Sequence, residues 1–161
     1  ISFDVIEKLL KLYPNNIIGM KDSSGDLDNM LKITKYFSEF SLFSGSDSLA
    51  LKVCKRGGAG AITATSNISG RLLSFIVNNY KEESSIDNFQ ELQLLQEKIR
   101  ETLFTHESVS ALKAVMSVKQ DNQEWNRVNP PLLRIENPQN NKTIIRLMQL
   151  LQKMDELVPS A

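Results

Sequence analysis

The sequence predicts an α/β fold in which a small parallel sheet is followed by helices. In the first half of the chain a short apolar run, a loop and an amphipathic helix recur three times, at a spacing of roughly twenty residues. This alternation is typical of βα units, whose strands run parallel. From residue 86 to residue 158 the apolar residues recur at helical spacing instead, and no short apolar run is flanked by turn residues. The pattern therefore changes near residues 83–85.

The first two strands are predicted from apolar runs that follow polar breaks. Apolar residues lie on one helical face of residues 3–12 and predict an opening amphipathic helix. Residues 17–20 are apolar throughout, as in a strand buried on both faces of a parallel sheet. Asp26 is placed to cap a second helix with its side chain. Residues 41–44 then predict the second strand.

The third strand is predicted between two helices. We expect the first of these helices to end at residues 57–58, two glycines, because glycine readily adopts the left-handed conformation at a helix end. Residues 59–64 predict the third strand, and the apolar residues within 72–77 predict the helix after it. Three further helices are expected beyond residue 84, with Asn-Pro breaks before the last one.

The composition excludes several classes of protein. The 161 residues contain 19 Lys+Arg and 19 Asp+Glu, so the chain lacks the basic surplus of a protein that binds nucleic acid through its phosphates. No apolar run approaches the roughly 18 residues of a membrane span. Cys54 is the only cysteine, which favours a reducing, cytoplasmic compartment. With His106 as the only histidine, a metal site is not expected.

Lys21 is the first candidate for chemistry. It follows the first predicted strand, at the edge of a parallel sheet where loops meet and sites form. An amine among apolar neighbours gives up its proton more readily and can then attack a carbonyl carbon. The alternative is a solvated surface lysine that begins a turn.

Polar residues follow the other two predicted strands. The second strand is followed by Gly45-Ser46-Asp47, and the third ends in residues 63–67, Thr-Ala-Thr-Ser-Asn. Backbone N–H groups and hydroxyls at such strand ends can hold an anionic group. A small 2-oxo acid needs a nucleophile for its ketone and donors for its carboxylate, and both lie on adjacent predicted strands. The alternative is that glycine and hydroxyl residues are ordinary constituents of βα loops.

Three motifs, in order, resemble those of one known family. Residues 18–26 resemble the lysine signature of the dihydrodipicolinate synthase / N-acetylneuraminate lyase family. Residues 43–47 and 57–67 resemble the next two strand-end motifs of that family, at the family's spacing. The resemblance covers the chain well to about residue 80, and the remaining helices are similar to the family's helical C-terminal extension.

The resemblance implies a partial (β/α)8 TIM barrel. Residues 1–83 would hold barrel strands six to eight, and residues 84–161 would form a C-terminal three-helix region. The chain would then begin at the fifth barrel helix. The family's catalytic tyrosine and its carboxylate-binding Thr-Thr pair would lie upstream of Ile1.

The resemblance also implies a set of site residues. Lys21 matches the lysine that forms a Schiff base with pyruvate or a pyruvate-derived sugar acid. Ile62 matches the residue whose backbone carbonyl faces the bound pyruvate moiety, and Ser23 falls where the sugar-acid branch often has threonine. The expected substrate-binding residues are Ser23, Gly45, Ser46, Asp47, Ile62 and Thr63.

The function implied is that of a class I aldolase, lyase or synthase acting on pyruvate or a 2-keto-3-deoxy sugar acid. It would need no metal or organic cofactor, because the protonated Schiff base is itself the electron sink. The resemblance implies a homo-oligomer, either a dimer or a tetramer. The branch of the family stays open, although residues 45–47 are more like those of the sugar-acid lyases than those of the classical synthases. The alternative is a non-catalytic family member that serves as an assembly or regulatory partner.

Overall fold

The computed structural model describes residues 1–105 and 108–159, so His106 lies outside the described part of the chain. It divides into two units, Ile1–Thr63 and Ala64–Ala161. The predicted division at residues 83 and 84, between barrel and extension, stays a prediction. In the described ranges, each helix is too short or too polar to cross a membrane.

The first unit alternates helices and strands, and its strands form one sheet. The elements are α1 (Phe3–Leu12), β1 (Gly19–Asp22), α2 (Leu27–Tyr36), β2 (Ser41–Ser44), α3 (Asp47–Cys54) and β3 (Gly60–Ala61). The strands lie in the order β1-β2-β3, and both pairings are parallel. The α/β prediction with parallel strands is confirmed.

The start of α2 lies where the sequence predicts it, whereas α3 ends at Cys54, shortly before the predicted glycines. The Asp26 carboxylate accepts a hydrogen bond from the backbone N–H of Asn29 at 3.0 Å and caps α2. At the end of α3 the chain reaches Gly57 with φ +92°, a left-handed conformation that glycine adopts without strain. Both signals are local, because a cap or a glycine turn satisfies backbone groups within one helical turn.

The first and third strands differ from the prediction. The first strand comprises residues 19–22 rather than 17–20, so Lys21 lies within it instead of after it. Ile17 packs on the core while Ile18 is 69% exposed, so the apolar run marks the approach to the sheet. The third strand is residues 60–61, shorter than the predicted 59–64.

Helices cover one face of the sheet in the first unit. Leu42 of β2 is fully buried and belongs to a core cluster with Ile6 of α1, Ile33 of α2 and Val53 of α3. Met20 of β1 packs against the same cluster. Since successive strand residues face opposite sides, Lys21 and Phe43 point to the other face of the sheet.

The second unit is helical in its described residues. Its α-helices are α4 (Ser66–Asn78), α5 (Phe89–Leu103), α6 (Ser108–Lys119) and α7 (Lys142–Leu157), with short 3-10 helices at Tyr80–Ser85, Gln123–Asn126 and Pro138–Asn140. Asn141 caps α7 by accepting from the N–H groups of Thr143 and Ile144. The core includes the fully buried Leu92, Ile99, Val115 and Leu147. The helical periodicity beyond residue 84 therefore matches helices in this part of the chain.

Candidate active site

The candidate site lies in the first unit, where the three parallel strands end. All seven predicted residues belong to this unit: Lys21, Ser23, Gly45, Ser46, Asp47, Ile62 and Thr63. The parallel pairings bring the carboxyl ends of the strands to the same edge of the sheet. The three motifs, as far as Thr63, therefore meet there.

Lys21 presents its side chain on the face opposite the helical core. It pairs with Phe43 of β2, which pairs in turn with Gly60 of β3, so these three residues form one row across the sheet. The Lys21 side chain is exposed. Within the described ranges its amine forms no ion pair or hydrogen bond. The row therefore places Lys21 and Phe43 side by side on this face of the sheet.

Gly45 and Ile62 form the next row on the same face. The ladder continues one residue past the strands, because the Gly45 N–H donates to the Asp22 carbonyl at 2.7 Å and the Ile62 N–H donates to the Ser44 carbonyl at 2.9 Å. Gly45 and Ile62 come two residues after Phe43 and Gly60, so they lie on the same face as Lys21, because strand residues alternate between faces. Ile62 is 49% exposed there. The structure thus brings Lys21, Gly45 and Ile62 to one face.

Gly45 is required by a close approach of the chain to itself. A Cβ at this position would lie 2.7 Å from the Asp22 carbonyl oxygen and 2.7 Å from Ser23 Oγ. Both distances are shorter than a van der Waals contact. The family resemblance implies that Gly45 contacts the substrate, so a side chain here would be expected to enter the substrate's space. In the structure it would first collide with the end of β1.

Asp22 organises the loop after Lys21 from the opposite face of the sheet. Its carboxylate is 5% exposed and accepts hydrogen bonds from the Ser24 N–H at 2.7 Å and from Asn29 Nδ2 at 3.0 Å. Burial alone would raise the pKa of Asp22, but the hydrogen bonds from Ser24 and Asn29 outweigh it and hold the pKa below its ordinary value. Asp22 thereby ties β1 to the start of α2.

Asp47 and Thr63 form a buried pair between two strand ends. Thr63 Oγ1 donates to Asp47 Oδ1 at 2.6 Å, and the two side chains are 7% and 6% exposed. Asp47 begins α3 after β2, while Thr63 follows β3. The hydrogen bond therefore joins the second strand end to the third.

Ser46 and Ser23 lie on the loops around this pair. Ser46 is the N-cap residue of α3, and its Oγ lies 3.0 Å from Ser48 Oγ. Its backbone N–H donates to Ser44 Oγ at 3.1 Å. Ser23 is exposed. The backbone N–H groups of Gly45, Ser46 and Ile62 thus all have acceptors within the chain, so the expected cradle of free backbone donors is absent at these three residues.

Two residues at the site carry roles that the sequence reasoning missed. Phe43 lies beside Lys21. The alternation of side chains along β2 predicts this position only once the pairing of β1 with β2 is known. Asp22 holds the following loop, and Asp-Ser-Ser-Gly is a sequence that favours such a side-chain turn. Among the residues that the structure describes, no three His, Cys, Asp and Glu side chains lie together as a candidate ligand group.

The chain is similar to curated proteins over nearly its whole length. It is 31% identical over 153 residues to the 4-hydroxy-tetrahydrodipicolinate synthase of Methanococcoides burtonii, a match that covers 94% of this chain and 50% of that protein. It is 33% identical over 152 residues to the enzyme of the same name from Buchnera aphidicola, covering 90% of this chain and 48% of that protein. The chain spans about half the length of the curated relatives that it matches.

The fold is also that of solved structures. The sialic acid aldolase of Ruminococcus gnavus superposes with a TM-score of 0.83 at 16% identity, covering 99% of this chain and 52% of that one. This likeness, at low identity, identifies the chain's fold as a fragment of that TIM-barrel fold. The sequence model of the Dihydrodipicolinate synthetase family matches residues 1–150. The chain therefore belongs to the dihydrodipicolinate synthetase family.

Proposed function

We propose that this protein is a class I, Schiff-base-forming lyase or synthase, in which Lys21 is the nucleophile and pyruvate or a 2-keto-3-deoxy sugar acid is the substrate. The observation that carries the proposal is the position of Lys21. Its exposed amine lies on the face of the sheet opposite the helical core, in a row with Phe43 and beside the row of Gly45 and Ile62. Membership of the family supports the same chemistry.

The reaction begins with addition of the Lys21 amine to the ketone carbon of the 2-oxo acid. A carbon–nitrogen bond forms, the ketone oxygen leaves as water, and the product is a protonated imine. When the bond between the third and fourth carbons of a sugar acid breaks, the protonated imine takes up the electron pair and becomes an enamine. The fourth carbon leaves as an aldehyde, and its hydroxyl proton passes to a base. Condensation runs through the same enamine in the other direction. These steps use no metal or organic cofactor.

The remaining predicted residues receive roles that follow from their placement. Gly45 and Ile62 lie in the next row on the face of Lys21, so they would contact the pyruvate moiety. Asp47 and Thr63 bind each other at 2.6 Å, so we assign them first to holding the strand ends in register. Ser23 and Ser46 lie on the loops and would contact the part of the substrate beyond the pyruvate moiety.

The second substrate, the assembly and the compartment are further parts of the proposal. The curated relatives carry the name 4-hydroxy-tetrahydrodipicolinate synthase, which favours the synthase reaction. Residues 45–47, Gly-Ser-Asp, favour the sugar-acid branch. We expect a homo-oligomer, a dimer or a tetramer, in the cytoplasm. Neither nucleic acid nor a membrane is an expected partner.

Trapping the imine tests the proposal. The chain is incubated with pyruvate and sodium borohydride, and intact-mass spectrometry should detect one reduced pyruvyl adduct. Lys21→Ala should abolish the adduct and keep the far-UV circular dichroism spectrum, because the side chain is exposed and contributes little to the core. Lys98→Ala removes another exposed lysine and should leave the adduct unchanged.

Two outcomes would contradict the proposal. An adduct of undiminished yield in Lys21→Ala would place the nucleophile elsewhere. A folded chain without any adduct would favour the alternative, a non-catalytic family member that acts as an assembly or regulatory partner.

A further inference from the structure

A groove lined by basic residues lies between α2 and the end of α3. Its volume is about 420 Å³, and its lining residues are Asp28, Leu31, Lys32, Lys35 and Arg56. Both helices belong to the first unit. None of the lining residues is among those assigned to the reaction of Lys21, so the groove is independent of the proposed function.

The packing of α2 fixes which side chains face the groove. Met30, Ile33 and Thr34 are buried on the inner side of the helix. Lys32 and Lys35 therefore project outward, one turn apart, together with Asp28 at the start of the same stripe. Lys32 and Lys35 thus line the same groove from one anchored helix.

Arg56 supplies the opposite edge. Its backbone N–H donates to the Val53 carbonyl at 3.0 Å, and the next residue, Gly57, turns the chain with φ +92°. The backbone at Arg56 is thus fixed by the end of α3. A guanidinium at this place can offer two parallel N–H donors to one oxyanion.

The charges of the groove are unbalanced. Three basic side chains face one acidic side chain, which leaves a net charge of plus two. Among the residues that the structure describes, none of Lys32, Lys35 and Arg56 takes part in an ion pair. Like charges on adjacent helical turns repel, so a bound anion would relieve this repulsion.

The chemistry of the groove points to one class of ligand. Its volume lies in the range of small-molecule sites, which is about 300 to 1,000 Å³. An extended polyanion needs a basic surplus across the surface, whereas the 19 basic and 19 acidic residues of this chain balance. We propose that the groove between α2 and α3 binds a small ligand that carries a phosphate or diphosphate group.

Titration calorimetry with inorganic pyrophosphate tests the proposal on the full chain. The unmodified chain should bind pyrophosphate, and added salt should weaken the binding, because salt screens exposed charges. The double variant Lys32→Gln/Lys35→Gln should weaken it by at least about tenfold. Arg56→Gln, on the other element, should weaken it as well. Asp28→Asn should instead tighten binding, because it removes the one acidic side chain of the groove.

The control is a double variant with the same change of charge at another place. Lys8→Gln/Lys98→Gln removes two exposed lysines that do not line the groove, and the affinity should stay within about twofold. An equal loss in this control would mean that net charge, and not the groove, binds the anion. Absence of binding to the folded chain would also overturn the proposal. A single-stranded oligonucleotide that binds more tightly than pyrophosphate through Lys32 and Lys35 would overturn the assignment to a small ligand.

Discussion

The hydrogen bond from Thr63 to Asp47 should contribute measurably to the stability of the chain. Thr63→Val keeps the shape of the side chain and removes the hydroxyl, so Asp47 Oδ1 loses a donor at 2.6 Å while it stays 6% exposed. A hydrogen bond to a charged group contributes about 1.5–3 kcal/mol, and the buried acceptor cannot turn to water. Asp47 keeps its other interactions. We therefore expect the free energy of unfolding to fall by about 2 kcal/mol.

Urea unfolding at neutral pH, followed by far-UV circular dichroism, measures this change. The matched control is Thr102→Val, whose hydroxyl donates to the Lys98 carbonyl at 2.7 Å at an exposed place on α5. Its effect should stay within about 0.5 kcal/mol, as for other surface substitutions. A double-mutant cycle with Asp47→Ala isolates the pair. If Thr63→Val costs as much when Asp47 is alanine, the reasoning about this hydrogen bond is refuted.

Three further predictions concern single residues. Gly45→Ala should lower the free energy of unfolding by about 1–3 kcal/mol, since its Cβ would lie 2.7 Å from Ser23 Oγ. The control is Gly70→Ala in α4, whose Cβ would lie 3.9 Å from its nearest neighbour; it should raise the free energy of unfolding by about 0.5–1 kcal/mol in the same urea assay. The reverse order of the two effects would contradict the contact argument. Asp22 has a lowered pKa in the folded chain, so it contributes stability above its unfolded pKa of 3.8, and this stability is lost as the pH falls through the folded pKa. Asp22→Asn should therefore make the free energy of unfolding depend less on pH in this range. An unchanged pH profile would count against the hydrogen bonds of Asp22. Gln96 is 3% exposed, and neither of its side-chain polar atoms has a hydrogen-bond partner in the described part of the chain. Gln96→Met should therefore raise the midpoint temperature of thermal unfolding. A lower midpoint would indicate that the amide has a partner.

Local signals in the sequence predicted the start of α2, the glycine turn after α3 and the order of the elements. Asp26 caps α2 and Gly57 turns the chain after α3, as predicted, because each feature depends only on neighbouring residues. The parallel sheet also followed from the repeated pattern of strand, loop and helix.

Cys54 is buried on α3, and burial raises the pKa of its thiol.

Long-range pairing decided what the sequence could not predict. The apolar residues 17–18 suggested an early first strand, but the ladder is set by the partner strand, where Gly19 pairs with Ser41. The hydrogen bond between Thr63 and Asp47 spans sixteen positions, and no local pattern indicates it. The collision of a Gly45 side chain with Ser23 likewise depends on the register of β1 and β2.

Lys21 should differ in its reactivity toward pyruvate from every other lysine of the chain, because of its place on the sheet. Peptide mapping after treatment with pyruvate and borohydride tests it directly, since every lysine competes for the same reagent. The reduced pyruvyl group should be found on the peptide that contains Lys21, and exposed lysines such as Lys8 and Lys98 should stay unmodified. Modification spread over several lysines, with no preference for Lys21, would contradict the assignment of Lys21 as the nucleophile.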